Sequence, residues 1–368
     1  MTKATIGLEN GEIICRVNGA VEFRDSVQHW NDGVLRLLER GEAELFAFVR
    51  EACMQIVRQN AYGEGVVEIL KRSWPTIFIP SKEPHDPKPP SWLSLDTHDV
   101  TWLTDSVRDT SEFGIALSPK SNHAWLAHRT NGMPAGLESV SYELEYFEGG
   151  QKGVGYGSYS DQVGWRMEKA NRQCRKVSAI MRFAGVENSQ IKILDIGSGY
   201  GYFRSACADV GWLTQGVEIS KHACWVANEM FGIDTYCGSL DTFSEISSER
   251  FDAIVMWDFL EHVEDPVTNL NIARRLLSDS GLLFIRTPNL DAIEFKVFGS
   301  AYHSLKREHL NLFSASSLSR CMVNSGLNPV LTFTESHLLS GFVRSEVPVW
   351  ANTLRGSDLF SVGRRISD

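Results

Sequence analysis

A chain of 368 residues, 43% of them hydrophobic, has enough apolar material for a substantial core and for two or three domains. Its formal net charge of −10 provides no broad basic field for gripping phosphate backbones, so nucleic acid is not an expected partner. The opening stretch MTKATIGLENGEIIC lacks a basic segment followed by a long apolar one, and nowhere do eighteen apolar residues run together, so the chain reads as cytoplasmic and not membrane-bound.

In chain order, IICRVNGAVEF places Asn18-Gly19 between apolar pairs, which predicts a tight hairpin. From Ala43, the residues Leu45, Phe48, Val49, Ala52, Ile56 and Val57 recur at helical spacing and predict a helix with one buried face. Five prolines in IPSKEPHDPKPPS (Pro80, Pro84, Pro87, Pro89 and Pro90) predict a stiff connector or exposed loop. Ser91 to Gly136 is rich in Trp, His and Asp, shows no clear period and suggests no chemistry. The glycine-rich YFEGGQKGVGYGSYSD, with tyrosines at 146, 156 and 159, predicts either a loop that covers a ligand with aromatic rings or a plain inter-domain connector.

VGWRMEKANRQCRKVSAIMRFAG then reads as one helix ending near Gly185. Beyond Gln190, short apolar runs alternate with helical stretches: Lys192 to Ile196, Gly216 to Ile219, Asp234 to Cys237, Phe251 to Trp257 and Leu282 to Arg286. This is the rhythm of an open parallel sheet with helices on both faces. The seven cysteines (Cys15, Cys53, Cys174, Cys207, Cys224, Cys237 and Cys321) are scattered and never form Cys-x-x-Cys, so most should be small buried hydrophobes.

The densest signal is ILDIGSGYGYF, an apolar run followed by Gly197, Gly199 and Gly201 and then a helical stretch. A glycine turn between strand and helix lets main chain approach a ligand, and the helix N-terminus offers unpaired N–H groups beside it. The dinucleotide fingerprint Gly-x-Gly-x-x-Gly needs a small residue where Tyr202 stands, and no P-loop lysine with Ser/Thr follows. What remains is a ligand with an adenosine but no pyrophosphate.

ILDIGSGYGYF resembles motif I of the class I S-adenosylmethionine-dependent methyltransferases, including Asp195 two positions before the first glycine. QGVEIS supplies Glu218 where that superfamily places an acid on the two ribose hydroxyls, an arrangement in which one carboxylate accepts both bonds. FDAIVMWDFLEHVEDP and GLLFIRTPN resemble its fourth and fifth strands, and KREHLNLFSASSLSRCMVNSGLNP resembles a stretch of its small-molecule members, so the likeness covers about half the chain, from Tyr156 to Val343.

The resemblance implies an α/β fold: a doubly wound, mostly parallel, seven-stranded Rossmann-like sheet with an additional N-terminal α+β region. It divides the chain into a region of unknown role at 1–145, a lid and lead-in helix at 146–189, the methyltransferase domain at 190–345 and a tail at 346–368. The implied cofactor is S-adenosylmethionine, held by Asp195, Gly197, Ser198, Gly199, Gly201, Glu218 and Ile219, with Trp257, Tyr156 and Tyr159 packing near it. For the adenine, where the superfamily often has an acid, CGSLDTF leaves Asp241 or the pair Ser239 and Leu240.

Methyl transfer to a hydroxyl also requires that its proton leave, which calls for a general base or a metal ion. Asp258, Glu261 and His262 lie at i, i+3 and i+4 and share one face if their segment is helical. The ubiquinone-biosynthesis O-methyltransferases resemble this segment and carry an acid-x-x-Glu-His metal site there, which implies Mg²⁺ on Asp258, Glu261 and His262. The alternatives are a base or positioning role for His262, or a purely structural one. His309 in REHLNLF is the second candidate base, Ser314 reads as a helix N-cap, and Pro288 should close the fifth strand with Asn289 beside it.

The expected function is S-adenosylmethionine-dependent methylation of a small-molecule acceptor, at oxygen, in a biosynthetic pathway. The alternatives are an RNA- or protein-modifying enzyme that uses the first 150 residues for recognition, and a binding protein that has kept only the fold. The N-terminal region is expected to recognise the acceptor, to make a homodimer, or both.

Overall fold

The computed structural model describes residues 4–9, 12–17, 20–26, 87–93, 100–104, 112–136, 141–149, 158–186, 190–292, 295, 302, 304–335 and 356–366, the first three stretches and residues 101 and 104 as backbone alone. Its contacts divide the chain into two compact units. One comprises Met1–Ile79, Asp291–His303 and Thr334–Asp358; the other comprises Pro80–Leu290, Ser304–Phe333 and Leu359–Asp368. The second unit therefore starts well before position 146, where the sequence places the first boundary.

In the first unit, β1 (Ala4–Glu9), β2 (Glu12–Val17) and β3 (Ala20–Ser26) form an antiparallel three-stranded sheet. Val17 pairs with Ala20, and Asn18 and Gly19, where the sequence predicts a tight turn, lie outside the described residues. The helix expected from Ala43 lies outside the described residues.

The second unit opens with the segment in which the sequence shows no period. It is an antiparallel sheet of β4 (Thr101–Thr104), β5 (Phe113–Ser118) and β6 (His123–His128), completed by a short strand from far along the chain. Its core is Trp102, Ala116, Trp125 and Ala127. Both faces of β5 and β6 are largely buried, so no polar alternation marks them as strands.

After the single turn α1 (Leu144–Phe147), α2 (Val163–Phe183) runs as the expected lead-in helix. Ala170, Gln173, Cys174, Val177 and Met181 make its buried face, at helical spacing. There follow β7 (Lys192–Ile196), α3 (Tyr202–Asp209), β8 (Leu213–Glu218), α4 (Lys221–Phe231), β9 (Tyr236–Cys237), α5 (Leu240–Ile246), β10 (Phe251–Trp257), α6 (Pro266–Leu276) and β11 (Leu277–Pro288). β12 (Asn311–Phe313), α7 (Ala315–Asn324), β13 (Leu327–Glu335) and β14 (Asp358–Arg365) complete the order. Local chemistry sets the helix starts: Ser220, Ser239 and Asp265 each accept a main-chain N–H from three residues on, and Ser314 forms a reciprocal capping box with Ser317.

The large sheet has seven strands in the order β13-β14-β11-β10-β7-β8-β9, and the pairs β11/β10, β10/β7, β7/β8 and β8/β9 are parallel. Two-residue alternation sends Leu194, Ile196, Ile254, Met256, Leu283 and Ile285 into one core, and Ile193, Ala253, Val255, Leu282 and Phe284 into the other. Helices α5, α6 and α7 cover the first face; α2, α3 and α4 cover the second. Truncating one of these fully buried side chains to alanine would cost about 2–5 kcal/mol through lost burial and the cavity left behind.

This is a doubly wound sheet. From β7 the chain builds outward first through β8 and β9, then on the other side through β10 and β11. That reversal opens a crevice above the carboxyl ends of β7 and its neighbours, where such sheets bind ligands. β12 pairs antiparallel with β6, and a bridge from Asn289 to Phe313 ties it to the end of β11, so the small sheet is attached at the crevice.

Candidate active site

The glycine loop leaves β7 at the switch point. Gly197 and Gly199 have φ of +74° and +52°, a left-handed conformation that other residues adopt only with strain. Their surroundings differ. A Cβ on Gly197 would lie 2.8 Å from Phe259 Cδ2, so that glycine is needed for internal packing. A Cβ on Gly199 would meet only Phe147 Cε1, at 3.8 Å. At Gly201 the close neighbour is Ala227 on α4, at 3.3 Å, which makes it a helix-packing position. Of the three, Gly199 is the one where an added Cβ would make only an ordinary van der Waals contact. Beside it, the Ser198 hydroxyl is buried with no hydrogen-bond partner.

Glu218 ends β8 and reaches back over this loop. Its Oε2 accepts the Gly199 N–H at 2.8 Å and its Oε1 accepts the Ser220 N–H at 2.9 Å. Burial raises its pKa, against the pull of these N–H groups. The Ile219 main-chain N–H also bonds this carboxylate, so its orientation is fixed by main chain on both sides of the strand end. Asp195, next to the end of β7, is 2% exposed and its pKa is pushed up to about 7 by burial; Arg204 opposes the shift and Glu218 adds to it.

Ile219 is 57% exposed directly after Glu218, an apolar surface left open at the same edge. Ser239 is spent as the cap of α5, Leu240 is buried, and Asp241 is exposed in the first turn of that helix. Trp257, at the end of β10, packs edge-on against Phe203 at 5.6 Å, and its indole N–H is buried without a partner.

An aromatic wall stands over the glycine loop. Phe147 stacks on Tyr200 at 4.9 Å and meets Tyr159 edge-on at 5.1 Å, while the Arg166 guanidinium lies 3.1 Å from the centre of the Tyr159 ring. The segment is anchored by polar bonds. Glu148 accepts from Ser158, Ser160 and Tyr200, and Glu143 accepts the His222 N–H at 3.2 Å. Tyr156 lies outside the described residues.

On the other side of the crevice, one sequence expectation needs correcting. Asp258 does not share a face with Glu261 and His262. It has φ +54°, and Leu260–His262 is a 3₁₀ turn in place of an α-helix, so the i, i+3, i+4 geometry does not arise. The Asp258 carboxylate turns instead to Arg286, accepting its Nε–H at 2.8 Å and pairing with its Nη2, with Lys169 Nζ at 3.7 Å.

His309, from the approach to β12, lies beside Glu261 and His262 instead. One ligand-capable atom from each of Glu261, His262 and His309 lies within 4.8 Å of the others. The rings of His262 and His309 are 4.9 Å apart and nearly perpendicular. Burial lowers the His262 pKa to about 3, an effect to which Lys306 adds and which the Glu308 carbonyl opposes. The ring is therefore neutral at pH 7. Its Nδ1 lies 2.9 Å from the Glu308 carbonyl oxygen, so that nitrogen carries the proton and donates, leaving the lone pair on Nε2. His309 repeats the pattern, with Nδ1 2.7 Å from the Ser304 carbonyl.

Tyr142 connects the two halves of the site. Its hydroxyl is 3.1 Å from His262 Nδ1, and burial, with the charges of Glu308, Glu261 and Glu218 behind it, raises its pKa. The sequence offers one faint sign of this residue, its i, i+4 spacing from Tyr146, and the two rings do meet at 4.9 Å.

With this geometry in place, comparison with known proteins assigns the class. Residues 168–332 match a family model described as a methyltransferase domain. This part of the chain resembles the class I S-adenosylmethionine-dependent methyltransferase domains. In sequence it resembles the ubiquinone-biosynthesis O-methyltransferases. The protein of that name from Thiobacillus denitrificans is 30% identical over 118 residues, covering 30% of this chain and 51% of the relative. The one from Idiomarina loihiensis is 27% identical over 177 residues, covering 44% and 72%. The chain thus spans about half the length of the first curated relatives it matches. Among solved structures, a methyltransferase from Clostridium acetobutylicum is similar over 53% of this chain and 91% of its own, with TM-score 0.40 and 10% identity. Among the described residues, no helix is long and apolar enough to cross a membrane.

Proposed function

We propose that the protein is a methyltransferase that takes its methyl group from S-adenosylmethionine and places it on an oxygen of a small-molecule acceptor. The observation that carries this reading is the Glu218 carboxylate, fixed at the end of β8 by the Gly199 and Ser220 N–H groups beside the glycine loop. Two vicinal ribose hydroxyls are the complementary donor pair. The buried, unpartnered Ser198 hydroxyl and the uncrowded main chain at Gly199 fit the same ligand.

The bound cofactor supplies an electrophilic methyl on a sulfonium, and the protein's share is alignment and the exclusion of water. Gly199 lets the ligand lie against main chain. Glu218 orients the sugar, Ile219 offers an apolar surface to the adenine, and the Ser239–Asp241 turn borders its edge. The wall of Tyr142, Tyr146, Phe147 and Tyr159 keeps water out. An acceptor hydroxyl loses its proton toward Glu261, His262 and His309. Asp258, engaged with Arg286, shapes that side of the crevice and is not the base.

Glu218→Ala should weaken binding of S-adenosylhomocysteine by about 1–3 kcal/mol in calorimetry and depress transfer of labelled methyl to the same degree. Unchanged affinity in that variant would show that the ribose does not sit on Glu218.

A further inference from the structure

We propose that Cys224 and Cys237 form an oxidisable dithiol beside Glu218: peroxide joins them in a disulfide, and the joined form holds the cofactor less tightly. The crosslink stands on the placement of the two residues alone, whereas its effect on the cofactor rests on the methyl-transfer reading. The sequence reads most cysteines as small buried hydrophobes, and among those described Cys237 is the one that is exposed.

Three observations place the two residues together. First, parallel register sets Cys237 directly beside Glu218 at the edge of the large sheet, and the Gly238 N–H donates to the Glu218 carbonyl at 2.9 Å. Second, strand alternation turns Cys237 toward α4. Tyr236 packs into the opposite core, its ring 5.4 Å from that of Phe243, so the next residue faces the side that α4 covers. Third, Cys224 comes down from α4 to the same place: its Sγ donates to that Glu218 carbonyl at 3.6 Å. The two cysteines thus flank one carbonyl group. Burial raises the Cys224 pKa most, and its hydrogen bond with Cys237 raises it further.

Exposure sets the order of events. Peroxide reaches Cys237, whose sulfur takes up one oxygen to become a sulfenic acid while the other oxygen leaves as water. The Cys224 thiol then attacks that sulfur, the S–S bond forms, and the sulfenic oxygen departs as a second water. Two thiols and one peroxide give one disulfide and two waters, and the peroxide gains the two electrons that the sulfurs lose. Cys224, half-buried and with its pKa raised, does not react first. Cys174 and Cys207 also bond to each other, but both are buried, so peroxide leaves them reduced. The new bond takes the Cys224 thiol from the Glu218 carbonyl and draws α4 toward β9. That helix starts at Ser220, whose N–H fixes the Glu218 carboxylate, so the cofactor's anchor is displaced with it. Linkage makes the effect reciprocal: a tenfold preference of the cofactor for the dithiol raises the pair's reduction potential by about 30 mV.

The test uses the full chain, reduced, freed of reductant and treated with a small excess of hydrogen peroxide at neutral pH. Peptide mapping after alkylation should find Cys224 joined to Cys237 and Cys174 unlinked to Cys207, and dithiothreitol should reverse the bond. In Cys224→Ser the reaction should stop at a Cys237 sulfenic acid that dimedone traps; in Cys237→Ser, Cys224 should remain a thiol. By calorimetry, oxidised wild type should bind S-adenosylhomocysteine about tenfold more weakly than reduced wild type, while peroxide-treated Cys237→Ser keeps its affinity. The proposal is overturned if peroxide leaves the two thiols unjoined, if Cys174 and Cys207 link in preference, or if oxidised and reduced protein bind equally. Reduced wild type that takes up no S-adenosylhomocysteine would instead remove the cofactor reading and the effect on affinity with it, while the mapping still decides the crosslink.

Discussion

Substituting alanine at two glycines of one loop separates packing from ligand approach. Both Gly197 and Gly199 sit at positive φ, where an L-residue costs about 1–2 kcal/mol, offset by about 0.4–1 kcal/mol from the stiffer unfolded chain. For Gly199→Ala that is nearly the whole cost, because the new methyl meets only Phe147 at 3.8 Å. The loss in stability should be about 1 kcal/mol. At Gly197 the methyl also lies 2.8 Å from Phe259 Cδ2 and 3.4 Å from its Cβ, which adds about 1–3 kcal/mol of overpacking. Gly197→Ala should therefore lose about 2–4 kcal/mol in urea unfolding. Cofactor affinity should rank the pair the other way relative to stability. Gly199→Ala should weaken S-adenosylhomocysteine at least tenfold, about 1.4 kcal/mol, while barely perturbing the fold. If Gly199→Ala binds like wild type, or is as unstable as Gly197→Ala, the assignment of Gly199 to the ligand is wrong.

Two buried groups should make stability depend on pH in opposite senses. Asp195, raised from 3.8 to about 7, keeps a proton in the folded state that the unfolded chain releases, so its contribution is lost as pH rises through that window. His262, lowered from 6.5 to about 3, refuses a proton that the unfolded chain accepts, so its contribution is lost as pH falls. The two oppose each other between 3.8 and 6.5, and wild-type urea midpoints should be nearly flat there. Asp195→Asn should turn that plateau into a clear rise with pH; a profile unchanged from wild type would mean the carboxyl is not held protonated. Asp258→Asn still tolerates positive φ but loses its charge against the Arg286 guanidinium, which is 5% exposed, and should cost about 1–3 kcal/mol in denaturant unfolding. No loss would show that the pair does not hold the turn after β10.

The parallel half of the fold is legible in the sequence because its signals are local. The expected runs Lys192 to Ile196 and Phe251 to Trp257 coincide with β7 and β10, and Ser314 caps its helix as its serine cluster suggests. The run from Asp234 shrinks to Tyr236–Cys237 at the sheet edge, while that from Leu282 extends to Leu277–Pro288 in the interior. The small sheet was illegible for a different reason. Its pairing partner arrives from far away: His123 on β6 bonds to Asn311 on β12, 188 positions later. The same distance explains the acceptor side. Spacing arguments assume one regular helix, and a left-handed residue followed by a 3₁₀ turn rotates Asp258 away from its expected companions. What brings His309 in is tertiary pairing, which no window of sequence contains.

One short strand has a consequence for the limits of this protein. β12 is three residues long, and its register with β6 runs Asn311 to Trp125, Leu312 to Ala124 and Phe313 to His123. The Asn311 amide also donates to the Val263 carbonyl at 2.6 Å, just past the histidine turn. A chain trimmed to the matched family segment would strip β4, β5 and β6 from this splice, baring its edge and the indole and imidazole surfaces beneath. Any piece that keeps β12 paired must therefore include β6, so this face of the crevice draws on chain from well before the matched segment.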